Sequence, residues 1–188
     1  MIHNQDRTGY FGGSDGKYIM GKWNTKTFQR WWDIKTGLTN SDFQGNLYTE
    51  MGNQLEPLIL DIISKDVNRD RQIILEQHLM RINLDGDMNG IIYEVKTHGK
   101  DFTVNKQYWY QAQVEMYAYQ EAMSDFKKLY IVSYQVYPEE YGNEVEADYT
   151  RLKFTQVDYD HNFITNEYLP RVDKLVKCLK QGEEPWSQ

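Results

Sequence analysis

Two largely apolar runs, residues 79–84 and 91–97, flank the hexapeptide Asp85-Gly86-Asp87-Met88-Asn89-Gly90. Asp-Gly and Asn-Gly are the dipeptides that tolerate the positive φ angles of tight hairpin turns, so an antiparallel hairpin is predicted here. Its second strand reads Ile91-Ile92-Tyr93-Glu94-Val95-Lys96-Thr97. Side chains alternate across a strand, which puts Glu94 and Lys96 on one face and Tyr93 and Val95 on the other. So apolar a strand suits the centre of a sheet better than a wet edge. Asp85 closes the first strand on the face of Leu79, Arg81 and Asn83, and a return through Gly86 to Gly90 brings it beside Glu94.

Around this hairpin the chain alternates helical and extended patterns. Gly12-Gly13-Ser14 is a turn into a short helix, with Ser14 as its N-cap. A second helix is predicted over 25–36, closed by Gly37. Over 48–64, Met51, Leu55, Leu58, Ile59, Ile62 and Ile63 recur at helical spacing. Residues 105–123 and 163–179 read as helices, and 129–136 and 151–157 as strands. This order predicts one α/β domain spanning 1–188, a mixed central sheet flanked by helices. The polar stretch 66–71 is given no element.

Composition narrows the function classes. One cysteine, Cys178, excludes an internal disulfide framework, a CxxC zinc site and a four-cysteine iron–sulfur cluster within one chain. No apolar run approaches the ~18 residues of a membrane span, and the first residues lack a signal-peptide pattern. A cytoplasmic protein is expected. The net charge of −7, from 28 acidic and 21 basic residues, argues against tight non-specific duplex binding. It does not argue against metal-assisted phosphodiester chemistry, because a cluster of carboxylates that holds a cation is itself acidic.

An isolated Glu-x-Lys is most often a solvated pair, and an Asp-Gly most often a turn. Side by side, however, Asp85 and Glu94 offer the two carboxylates that Mg²⁺ commonly takes from protein. Lys96 beside such an ion can orient or deprotonate a water and offset charge in a phosphoryl transition state. Helix 105–123 places Gln113 on a face with Trp109, Met116 and Tyr117, where a glutamine needs a hydrogen-bonding partner, catalytic or structural. Trp23, Phe28, Trp31 and Trp32 offer rings for stacking bases, although Phe28, Trp31 and Trp32 at helical spacing are more often core.

Asp85 followed by Glu94-Val95-Lys96 resembles the PD-(D/E)XK nuclease motif. Met51-Gly52-Asn53-Gln54-Leu55-Glu56-Pro57 is similar to the helix that carries a catalytic glutamate in the lambda exonuclease and YqaJ-like viral recombinase family. Ala112-Gln113-Val114 resembles that family's helix after the core strand, and Gly12-Gly13-Ser14-Asp15 its entry to the first helix. The resemblance implies a restriction-endonuclease-like core and a metal site of Glu56, Asp85, Glu94 and the Val95 carbonyl. By the same resemblance Lys96 handles the nucleophile, Gln113 supports the site, and Arg7 and Ser14 hold a terminal 5′-phosphate. Asp70 and Glu76 are open alternatives for a further acidic ligand.

The implied activity is 5′→3′ degradation of one strand of linear double-stranded DNA from its ends, in phage-type recombination by single-strand annealing. Implied with it are Mg²⁺ or Mn²⁺, two ions per site, a ring-shaped trimer, and a phage annealing protein as partner in a bacterial host. A PD-(D/E)XK endonuclease of restriction or repair is the alternative. A non-catalytic binding domain on a nuclease scaffold is a third, less consistent with an intact Asp85, Glu94, Lys96 set.

Overall fold

The computed structural model describes residues 8–40 and 45–186; Arg7 lies outside them. The predicted hairpin forms, as β2 (Met80–Met88) and β3 (Ile91–His98). Its turn is tighter than expected. Asn89 and Gly90 alone reverse the chain, with φ of +52° and +81°. Asp85-Gly86-Asp87 therefore belongs to the strand, and Met88 faces Ile91 across the ladder.

Among the described residues, five strands make one mixed sheet in the order β1-β2-β3-β4-β5. β1 (Asn68–Leu75) pairs antiparallel with β2 at one edge, a strand the sequence pattern did not predict. Its first half is polar and exposed, so it lacks the apolar signal of a buried strand. β4 (Lys128–Gln135) runs parallel to β3, and β5 (Leu152–Val157) returns antiparallel. The parallel step is made by α4 (Lys106–Ala122), a crossover between β3 and β4.

The sheet is covered on both faces. α3 (Leu47–Ile63) buries Met51, Leu55, Ile59 and Leu60 against Tyr93, Val95, Val132 and Tyr134. On the other face α4 packs with α2 (Lys26–Lys35), the short α1 (Gly16–Ile19) and a closing helix, over Ile82, Leu84, Ile92, Leu129 and Ile131. The closing helix is not regular. Between α5 (His161–Phe163) and α6 (Leu169–Gln181) it widens to a π-helical turn, Ile164–Tyr168, just before Pro170. Proline cannot supply the amide that a regular turn needs there.

Trp31 and Trp32 are buried in this second core, so they are not free to stack on bases. The Trp31 indole N–H donates to Asp15 at 2.8 Å. Asp15 also pairs with buried Lys35 at 2.6 Å and accepts from the Gly12 amide at 2.7 Å. Capping of the first turn therefore comes from Asp15. Ser14, expected as N-cap, lies inside the turn Gly13–Asp15 and is exposed.

Candidate active site

Where β2 and β3 should continue to pair, they part. Their ladder holds only from Gly86↔Tyr93 to Met88↔Ile91, and the next register pair, Asp85 and Glu94, is unpaired. Strict alternation also fails there. Ile82 and Leu84 belong to the α4-side core, yet so does Ile92, the partner of Asp87. The expectation that Leu79, Arg81, Asn83 and Asp85 share one face fails at both ends: Leu79, at φ of +47° before β2, packs on the α4-side core, and the alternation breaks again at Asp85. Instead of a ladder bond, the Val95 amide donates to the Asp85 carboxylate at 2.8 Å. β1 is disturbed at the same level: Asp70, between Arg69↔Gly86 and Arg71↔Leu84, has φ of +53°. A non-glycine residue in that region stores backbone strain, of order 1–3 kcal/mol, and such residues gather at functional sites.

The parted strands open a cavity of about 820 Å³, roofed by α3 and α4. Glu56, Asp85, Glu94, Val95 and Lys96 all line it, with Ser14 on its rim and Asp70 at its edge. Glu76 is elsewhere, exposed, in contact with the Tyr10 hydroxyl at 3.3 Å. Asp87 is buried but committed to Arg71, whose Nε reaches Oδ1 at 2.6 Å and Nη2 reaches Oδ2 at 3.1 Å. Of the two acids in Asp85-Gly86-Asp87, only Asp85 faces the cavity.

Glu94 is 1% exposed, and its Oε1 forms an ion pair with the Lys96 ammonium. Burial alone would lower the Lys96 pKa, but Glu94 and Asp85 raise it above its ordinary value, so Lys96 is cationic. The ammonium also lies 5.3 Å from the centre of the Tyr108 ring. Asp85 is driven well above the usual carboxylate range, by burial first and then by Glu94 and Glu56. Glu56 is raised for the same reasons: burial, then Glu94 and Asp70. α3 carries Pro57 directly after Glu56, which leaves the Asn53 carbonyl without an amide four residues on, at the cavity wall.

Two positions on α4 revise the expectation for this helix. Gln113 does not reach the cavity. Its amide donates to the Asp158 carbonyl at 2.8 Å and its oxygen accepts from the Asp160 amide at 2.7 Å. It ties α4 to the turn between β5 and α5, which is a structural task. Gln111 reaches the site instead, donating to Glu94 Oε1 at 2.6 Å and to Glu115 Oε1 at 2.8 Å. Glu115, also lining the cavity, was missed in the sequence. The four-residue spacing of Gln111 and Glu115 was its only signal.

Gln113→Leu is accordingly expected to cost about 1–3 kcal/mol, for two lost hydrogen bonds to the Asp158 and Asp160 backbone at roughly 0.5–1.5 kcal/mol each. Chemical denaturation would measure it. Mn²⁺ affinity of the folded variant should stay at the wild-type value; a loss of affinity without loss of stability would restore Gln113 to the site.

Among the described residues, no three Asp, Glu, His or Cys side chains are gathered as a ready metal-ligand set. The donor chemistry nonetheless suits a hard divalent cation, since every candidate ligand is an oxygen. Glu94 Oε2 and Glu115 Oε2 are buried without a hydrogen-bond partner. Buried carboxylate oxygens are costly unless something positive meets them. A divalent cation held by these carboxylates would meet that need.

No protein-family model matches the chain, and no curated protein does. Solved structures do. An alkaline exonuclease from Laribacter hongkongensis superposes with a TM-score of 0.67 at 18% identity, covering 94% of this chain and 90% of that one. The same enzyme in complex with dAMP gives 0.67 at 17% identity over the same shares. A phage-related exonuclease from Haemophilus somnus 129PT gives 0.62 at 17% identity, over 92% of this chain and 96% of that one. The five-stranded mixed sheet with a helix layer on each face is thus an α/β fold shared with these exonucleases.

Proposed function

We propose that the chain is a divalent-metal-dependent exonuclease that degrades one strand of linear double-stranded DNA from its 5′ end. The observation that carries this reading is the convergence of Glu56, Asp85, Glu94 and Lys96 on one cavity where two central strands part. The fold shared with exonucleases, one of them solved with dAMP, supports it.

Glu56, Asp85, Glu94 and the Val95 carbonyl are the groups that would hold Mg²⁺ or Mn²⁺. The ion, when bound, supplies Lewis acidity to the phosphoryl oxygen and lowers the pKa of a bound water. The chain's own part is geometric and electrostatic. Asp85 is kept in place by the Val95 amide, and Glu94 by Lys96 and Gln111. Lys96, beside the carboxylates, would place its ammonium where negative charge grows on the phosphoryl group. Ser14 on the rim, with Arg7, is the pair we assign to a terminal phosphate. The annealing partner and ring-shaped trimer implied by the family resemblance belong to the same reading.

A 5′-phosphorylated linear duplex is expected to be degraded faster than the same duplex with a 5′-hydroxyl. Charge-assisted contacts to a phosphate dianion are each worth about 1.5–3 kcal/mol, or roughly ten- to a hundredfold in rate. Arg7→Ala should erase the preference and leave slow cleavage of both ends. The assay is run at one salt concentration, because phosphate contacts weaken as salt rises. Equal rates on both ends, or rapid nicking of closed circles, would point to an endonuclease.

A further inference from the structure

We propose that Glu115 is a fourth carboxylate of the cation pocket, acting beside Glu94 across the Gln111 amide; this rests on the metal-dependent reading above. Glu115 is 1% exposed in the middle of α4, and its Oε2 has no hydrogen-bond partner. A carboxylate so deep in a core is ordinarily either replaced by an apolar residue or matched by a cation. Among the described residues no lysine or arginine hydrogen-bonds or ion-pairs with it; Gln111 Nε2 donates to its Oε1 at 2.8 Å. That same amide nitrogen donates to Glu94 Oε1 at 2.6 Å. One neutral N–H group thus separates two buried acids, each with its second oxygen unpartnered.

The surroundings hold Glu115 toward the cavity. Gly13 packs directly on it, and a β-carbon at Gly13 would lie 3.1 Å from Glu115 Oε1 and 3.3 Å from Gln111 Cγ. The Gly13–Asp15 turn is itself pinned by the buried Asp15–Lys35 pair and the Trp31 indole. Burial, then Glu94, then Asp85 push the Glu115 carboxyl well above its ordinary range. The positive charge that reaches it is Lys96, and that ammonium is already paired with Glu94 Oε1. A divalent ion near Glu94 would add a positive charge beside the two unpartnered oxygens, and Glu115 would add its charge to the affinity of the pocket.

Glu115→Gln isolates that charge. A glutamine has the same shape, and its Oε1 still accepts from Gln111. Mn²⁺ is titrated calorimetrically into wild-type, Glu115→Gln and Glu115→Asp proteins at one pH and ionic strength, and cation-free melting temperatures are taken alongside. The expected result is that Glu115→Gln weakens Mn²⁺ about tenfold or more, with a cation-free melting temperature equal to wild type or higher. Glu115→Asp, which keeps the charge but shortens the side chain, should bind Mn²⁺ more tightly than Glu115→Gln. Wild-type affinity in Glu115→Gln, or an affinity order with Glu115→Asp the weaker, would overturn the proposal. So would a Glu115→Gln chain that no longer folds, since the carboxylate would then be structural. A wild-type chain that binds no Mn²⁺ overturns the metal-dependent reading as well, which separates the two failures.

Discussion

Asp85→Asn is expected to abolish Mg²⁺-dependent degradation of linear duplex DNA, by about 10³-fold or more, while the protein stays folded. A thousandfold loss is roughly 4 kcal/mol of transition-state stabilisation, the scale on which a bound metal acts. Asparagine is preferred to alanine because the Asp85 carboxylate also accepts from the Val95 amide at 2.8 Å. Removing that acceptor would leave a buried N–H unpaired, at about 1–3 kcal/mol, and would confuse stability with catalysis. With asparagine the acceptor remains and only the charge is lost.

The stability of the cation-free protein should then hold or rise. Asp85 is raised well above its ordinary pKa by burial and by Glu94 and Glu56, so its charged form is disfavoured in the fold. Divalent cation, by contrast, should raise the melting temperature of wild type and fail to do so in Asp85→Asn, since a ligand stabilises only the state that binds it. Glu94→Gln should behave likewise in catalysis. Cleavage within a few-fold of wild type in either variant would remove both residues from the site.

Gly90→Ala is the second large effect, expected on the fold itself. Gly90 ends the β2–β3 turn at φ of +81°, and a β-carbon there would run into the Asp125 backbone carbonyl. The Lys127 amide donates to the Gly90 carbonyl at 2.8 Å, so this turn is also the seat on which β4 starts. Strain at positive φ costs on the order of 1–3 kcal/mol, and a clash with fixed backbone adds to it. A total of roughly 4 kcal/mol or more is expected, which lies in the exceptional range for one substitution and threatens the whole fold. Gly182→Ala is the control: its φ is +68°, at the end of α6, and nothing lies within 4 Å of the added carbon. That variant should lose only the cost of the left-handed backbone, about 1–2 kcal/mol. Equal losses in the two, read from denaturant midpoints, would show that the clash at Gly90 is not what the fold depends on.

The expected lengths of α3 and α4 and the two hairpin strands hold to within a few residues, because each carries a strong periodic pattern or a turn dipeptide. Strand β1 escaped notice because an edge strand with one wet half has no such pattern. Helix α4 misled for the opposite reason. Tyr110 and the run from Ala112 to Tyr119 are all buried, so the helix is enclosed on nearly every side. Periodicity identifies a helix's buried face only when another face is wet. On α4 it could show that Gln113 was inside but not which neighbour it met.

The sequence by itself determined the hairpin, the alternation that aims Glu94 and Lys96 to one side, and the acid and lysine side chains at its centre. These are local properties, set by turn stereochemistry and the two-residue repeat of a strand. Only the tertiary structure decided that the strands part at Asp85, that Gln113 braces the β5–α5 turn, and that Gln111 and Glu115 face Glu94. Those choices depend on how α4 is rotated against the sheet, and packing on both sides of the helix sets that angle rather than any pattern along it.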